Sequence, residues 1–143
     1  MNRIVLTITS CFKNSRVVGL CAREIASESF DEASVAEIEL AVVEAANNCI
    51  EHACACSENH QISIEFYLDE ELLTIELIDQ GKAIEPEQLK NSNADFNFDT
   101  TDIKNLPEGG MGLKIVKKCM DEVIYQHLNS RNHWLLTKYR QNK

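Results

Sequence analysis

Three short stretches of this 143-residue chain combine residue types at spacings that suit chemistry. The first is Glu44-Ala45-Ala46-Asn47-Asn48, within a segment of helical periodicity. Glu44 and Asn48 stand four residues apart, so they project from one helical face about one turn apart. Asparagine is a poor helix-interior residue because its amide competes for backbone hydrogen bonds. Its oxygen is a hard donor of the kind Mg²⁺ prefers, and a carboxylate one turn away can accept the proton of an attacking hydroxyl. Glu51 extends the polar strip. The plain structural alternative is a solvated helix face.

The second stretch is Ile78-Asp79-Gln80-Gly81, at the exit of an apolar run. An Asp there can simply bond its own turn backbone. It can also accept a hydrogen bond from the exocyclic amine of adenine, with Gly81 letting the base approach the chain closely. The third is Glu108-Gly109-Gly110-Met111-Gly112-Leu113, where three of the five glycines fall at the start of a helical pattern. Converging backbone N–H groups and the positive end of a helix make a phosphate cradle. A merely flexible turn would not need Gly112 in the first helical turn, where glycine costs about 1 kcal/mol relative to alanine. Neither G-x-G-x-x-G after the first strand nor Gly-Lys-Ser/Thr is present.

The elements that must position these residues follow from periodicity. Residues 3–9 alternate Ile4, Leu6 and Ile8 with polar neighbours and predict a strand. A helix follows, capped by Asn14 or Ser15, with Val17, Val18, Leu20, Cys21 and Ile25 as its apolar positions. The polar stretch 27–34 breaks it, and a longer helix runs from about Val35 to Cys54 on Ile38, Ala41, Val42, Ala45, Cys49 and Ala53. After the turn 57–60 come strands at 61–68 and 72–78, then a long, mainly polar segment that holds both prolines, Pro86 and Pro107. Loops of that length are usually functional lids. A third helix starts near Met111, and strands at 123–128 and 133–139 close the chain around Asn129-Ser130-Arg131. The order β-α-α-β-β-lid-α-β-β predicts an α/β chain of the two-layer α+β kind, a mixed and mainly antiparallel sheet with helices on one face.

Composition narrows the function. The length suits one domain, 1–143, and 44% hydrophobic with 26% charged residues is ordinary for a globular protein. A net charge of −9 without a basic run argues against nucleic acid and anionic membranes. No apolar run nears the roughly 18 residues of a span, and no secretory h-region follows Met1, so a cytoplasmic protein is expected. Six cysteines, at 11, 21, 49, 54, 56 and 119, read as reduced, mostly buried thiols. Cys49, His52, Cys54 and Cys56 lie close together, but no second ligand knuckle follows them.

Glu44-x-x-x-Asn48, Asp79-x-Gly81 and Gly110-x-Gly112-Leu113, in that order, resemble the N, G1 and G2 boxes of the GHKL ATPase superfamily. The closer resemblance is to the anti-sigma-factor serine kinases of the RsbW and SpoIIAB type, through 39–53, 108–113, Met120-Asp121-Glu122-Val123 and Leu136-Thr137-Lys138. The resemblance implies the Bergerat-type ATP-binding fold, with ATP and Mg²⁺ as cofactors. It implies Asn48 as the Mg²⁺ ligand and Glu44 as the base that activates a serine hydroxyl. Asp79 would read the adenine amine beside Gly81 and Ala83. The N–H groups around Gly110, Met111, Gly112 and Leu113 would hold phosphates under a lid of about 82–109. Arg16 matches a position of partner contact.

Ala83 departs from the usual second glycine of Asp-x-Gly-x-Gly, and the lid carries Lys82, Lys90 and Lys104 but no Arg. Arg131-Asn132 replaces a Gly-Thr pair, removing a hydroxyl near the adenine end. The implied function is a serine/threonine kinase of a partner-switching circuit. Its substrate would be a STAS-domain antagonist, its client a sigma factor or another protein, and its state a homodimer. The alternative, motivated by the lid without Arg, is a regulatory module that binds ATP and sequesters a partner without transferring phosphate.

Overall fold

The structure is a computed structural model that describes residues 1–53, 59–81, 83 and 111–141. Strand β1, Asn2–Thr9, half-buries alternate side chains from Ile4 to Ile8. Helix α1, Phe12–Ser27, follows Cys11, whose side chain makes no capping bond. The expected caps serve otherwise because both already lie inside the first turn. Asn14 donates back to Thr9 through its carbonyl and hydroxyl oxygens, each at 3.0 Å, and the Ser15 hydroxyl donates to the Phe12 carbonyl at 2.8 Å.

Helix α2, Glu32–Asn48, starts three residues before the expected Val35. Asp31 caps it by accepting from the Ser34 N–H at 2.8 Å, and Glu32 adds an acidic first turn. The expected continuous helix to Cys54 ends sooner, because the backbone widens into a π-helical turn over Cys49–Ala53. Such turns recur at functional sites. The approach of α1 to α2 depends on Gly19, where a Cβ would lie 2.4 Å from Cγ2 of Val43. Arg23 and Glu39 pair across the same two helices at 2.8 Å.

Strands β2, Gln61–Leu68, and β3, Leu72–Asp79, form a hairpin whose turn is held by Asp69, which accepts from the N–H groups of Glu71 and Leu72. Helix α3, Met111–Cys119, leads into β4, Glu122–Leu128, and β5, Arg131–Tyr139. Asn129 and Ser130 between them both take positive φ, 54° and 62°, as a two-residue hairpin of matching twist requires.

The five strands run in the order β1-β2-β3-β5-β4. All four pairings are antiparallel, so the expectation of a mixed sheet is corrected. β3 and β4 point the same way but never pair, because β5 lies between them. The helices cover one face, and there Ile62, Ile64, Phe66, Leu73, Ile75, Leu77, Trp134 and Leu136 are buried with Val18, Ile38, Val42, Ile50 and Val116. The opposite residues of β2 and β3 are half-buried or exposed. Period-2 alternation thus sets which side chains meet the helices and which do not.

Replacing Gly19 with alanine should destabilise the protein by about 1–3 kcal/mol, the usual cost of overpacking. A urea midpoint unchanged in Gly19→Ala would show that the α1–α2 contact is looser than described.

Candidate functional site

The first half of the site is made where α2 meets α3. Asn48 ends α2 almost fully buried, and its amide nitrogen has no hydrogen-bond partner among the described residues. Gly112 sits against it in the first turn of α3. A Cβ there would stand 3.0 Å from Oε2 of Glu44 and 3.5 Å from both amide atoms of Asn48. Glycine is therefore favoured here by the tight space beside Glu44, since its φ is not positive. One turn of α2 presents a carboxylate and an amide to the start of α3, where free N–H groups face outward along the helix axis. The amide oxygen of Asn48 suits Mg²⁺, which takes one or two protein ligands and completes its shell with water and phosphate, and the carboxylate of Glu44 one turn away can accept a proton.

The second half is at the end of β3. Asp79 is 1% exposed. Its Oδ1 accepts from the Gly81 N–H at 2.8 Å and from the Asn132 amide at 2.9 Å, whereas Oδ2 is buried with no partner among the described residues. Leaving a buried acceptor unmet is expensive, so Oδ2 calls for a donor from beyond the described residues. An exocyclic amine meets that need.

Asn132 is the site residue that sequence reasoning missed. The pair Arg131-Asn132 reads as the loss of a hydroxyl, yet the structure buries Asn132 completely and pairs it with Asp79 across β3 and β5. The signal was available in β5. Asn132 has the same parity as Trp134 and Leu136, so alternation alone points it toward the helices. Lys138 continues that row and is also buried. Its ammonium donates to the carbonyl of Cys119, the last residue of α3, at 2.6 Å and faces Glu37 of α2 at 3.4 Å. A cation at a helix C-terminus is favourable, and here it ties α3, α2 and β5 together.

The remaining expectations sort plainly. Gly81 is half-buried beside Asp79, and Ala83 is exposed. Leu113 packs in the core, so only its backbone can serve a ligand. Met111 opens α3. Gly110, the segment 84–109, Lys82, Cys54 and Cys56 lie outside the described residues. Cys49 and Cys119 are buried as expected, while Cys11 and Cys21 are half-buried. Arg16 stands apart from both halves, exposed on α1 among the exposed side chains of Phe12, Val17 and Leu20. No described helix is long and apolar enough to cross a membrane.

A two-layer α+β fold with these two half-sites defines the GHKL-type ATP-binding class. Residues 13–138 match the family described as histidine kinase-like ATPase domain, and the chain belongs to that family. It is 31% identical over 111 residues to the serine-protein kinase RsbW of Bacillus subtilis, covering 78% of this chain and 67% of that protein. It is 30% identical over 94 residues to the RsbW of Oceanobacillus iheyensis, covering 66% of this chain and 59% of that one. The chain thus spans about three fifths to two thirds of the curated relatives it matches. Among solved structures, the RsbU and RsbW domains of a Mycobacterium tuberculosis protein superpose with a TM-score of 0.65 at 18% identity, over 99% of this chain and 34% of that one. A mycobacterial sensor histidine kinase, MprB, gives 0.54 at 15% identity over 99% of this chain and all of that one. Both show the fold.

Removing the Lys138 ammonium in Lys138→Met should cost about 1–3 kcal/mol by leaving the Cys119 carbonyl unmet, read as a lower urea midpoint. An unchanged midpoint would mean that water replaces it. Burial, reinforced by Glu37, holds the Cys119 thiol above its ordinary range despite Lys138 and Lys118. The native state then keeps its proton where the unfolded chain has lost it, so stability should fall as pH rises above the ordinary thiol range. Cys119→Ala should flatten that slope in urea titrations repeated from neutral to alkaline pH.

Proposed function

We propose that the chain is a Mg-ATP-dependent serine/threonine protein kinase of a partner-switching system. It phosphorylates a STAS-domain antagonist and binds a sigma factor or another client protein. The observation that carries this reading is the approach of Gly112 to Glu44 and Asn48, which sets a base and a metal ligand against the start of α3. The relatives named RsbW, serine-protein kinases by description, support it from outside the structure.

In this reading the adenine amine donates to Oδ2 of Asp79, and Gly81 and Ala83 border the base. The first N–H groups of α3, from Met111 through Leu113, with Gly110 before them, hold the phosphates. Asn48 holds Mg²⁺, whose charge offsets that of the phosphates. Glu44 accepts the proton of the incoming serine or threonine hydroxyl as its oxygen bonds to the γ-phosphorus and the bond to ADP breaks. The lid expected at 82–109 lies, apart from Ala83, outside the described residues. Arg16, with Phe12, Val17 and Leu20 exposed around it, offers a cation ringed by apolar surface for the protein partner. We place the chain in the cytoplasm as a homodimer.

The test is phosphotransfer from labelled Mg-ATP to the STAS-domain protein encoded nearest the gene. Wild type should label a serine or threonine, and Glu44→Ala should slow labelling about a hundredfold or more while keeping ATP binding. If ATP binds and the two proteins associate but no label transfers, the chain is a nucleotide-dependent binding module.

A further inference from the structure

The reading of Asp79 as the acceptor for adenine leaves open what keeps its carboxylate in place. Asn132 does so directly, donating to Oδ1 of Asp79 at 2.9 Å and to the carbonyl of Gly81 at 3.3 Å. Behind it stands a second layer on the edge strand β4. The Tyr125 hydroxyl donates to Oδ1 of Asn132, and Nδ1 of His127 lies 2.9 Å from the same oxygen. Because that oxygen only accepts, Nδ1 of His127 must carry a proton. Tyr125 is itself held against Trp134, ring centroids 4.7 Å apart, and His127 pairs with Asn132 in the strand register.

The two acceptors, Oδ1 of Asp79 and the carbonyl of Gly81, draw the amide nitrogen to their side, and Tyr125 and His127 hold its oxygen on the other. Turned over, its oxygen would face Oδ1 of Asp79 and the carbonyl of Gly81, acceptor against acceptor. A threonine at this place, as the family resemblance leads one to expect, would carry a hydroxyl that can donate or accept. The amide, gripped by its oxygen, can only donate toward Asp79. Asp79 thus receives the amide on Oδ1 and keeps Oδ2 without a partner among the described residues.

We propose that Tyr125 and His127, acting through Asn132, are positioning residues that lock the Asp79 carboxylate for a 6-aminopurine and against a 6-oxopurine. The proposal rests on the nucleotide reading of the site and adds the determinant of base choice. A 6-amino group gives Oδ2 the donor it lacks. A 6-oxo group brings another acceptor to a buried carboxylate, and sites built on buried polar groups reject such analogues strongly. Releasing the amide oxygen frees the amide, and with it the carboxylate it holds, to move, which weakens the preference.

The experiment compares ATP with ITP, which differs by the 6-amino group, by calorimetric titration of the whole chain. It uses the wild type, Tyr125→Phe/His127→Leu and His127→Gln. Amide-proton exchange of the Asn132 side chain is followed in each protein without nucleotide. The double variant should lose about tenfold or more of the ATP-over-ITP ratio, chiefly through weaker ATP binding, with faster exchange at Asn132. His127→Gln, which retains a donor, should keep most of the ratio. Parallel weakening of both nucleotides, or an unchanged ratio and unchanged exchange, would overturn the lock. A wild type that protects the Asn132 amide yet binds ATP no better than ITP would refute the adenine reading of Asp79, and with it the role in base choice.

Discussion

A side chain at position 112 would press on the carboxylate of Glu44, and the packing of α3 on α2 is arranged around that missing Cβ. Helices usually pack with their axes 8–10 Å apart, separated by side chains. Here Gly112 presents no side chain to α2, so the polar strip of α2 meets backbone at that point. The rest of α3 has to hold this approach. Its buried Leu113, Val116 and Cys119 press into the core, and the ammonium of Lys138 fixes its far end to β5 and α2. Helix α3 is short, nine residues, and isolated helices of that length are marginal in water. Its position therefore depends on those tertiary anchors.

The two half-sites share a physical character. Each leaves one polar atom buried and unmet among the described residues, the Asn48 nitrogen and Oδ2 of Asp79. Each costs stability unless a partner beyond the described residues meets it. Both lie at the ends of otherwise regular elements, next to a change of backbone: a π-helical turn after Asn48, and the bend at Gly81 after Asp79. Ligand atoms that satisfied them would raise the stability of the whole fold by mass action.

The strands were legible because their alternation is nearly unbroken, and Gln61–Leu68 agrees residue for residue with the pattern of Ile62, Ile64 and Phe66. Asn48 and Gly112 stand out in the sequence because asparagine and glycine inside regular elements carry a local cost that invites explanation, and helical spacing alone puts Glu44 one turn from Asn48. What could not be read depends on distant neighbours. The cap of α2 lies at Asp31 because Ser34 offers its N–H there, whereas the apolar pattern starts only at Val35. The wholly antiparallel sheet depends on β5 entering between β3 and β4, which hydrophobic periodicity does not encode. The contact of Asn132 with Asp79 joins residues 53 apart, and only the register of two strands creates it. The buried Lys138 was invisible for the same reason, since its partner is the end of another helix.

The tight turn at Asn129 and Ser130 has an implication for how such a chain can vary in length. Because side chains alternate between the two faces, adding or deleting one residue in this hairpin would flip the parity of β5 relative to β4. Asn132 and Trp134 would then turn outward, and His133 and Leu135 would take their places beneath the helices. A change of two residues would preserve the faces but slide the pairing by one full repeat, separating Asn132 from Tyr125 and His127. Loop length at 129–130 acts as a ruler for the binding pocket.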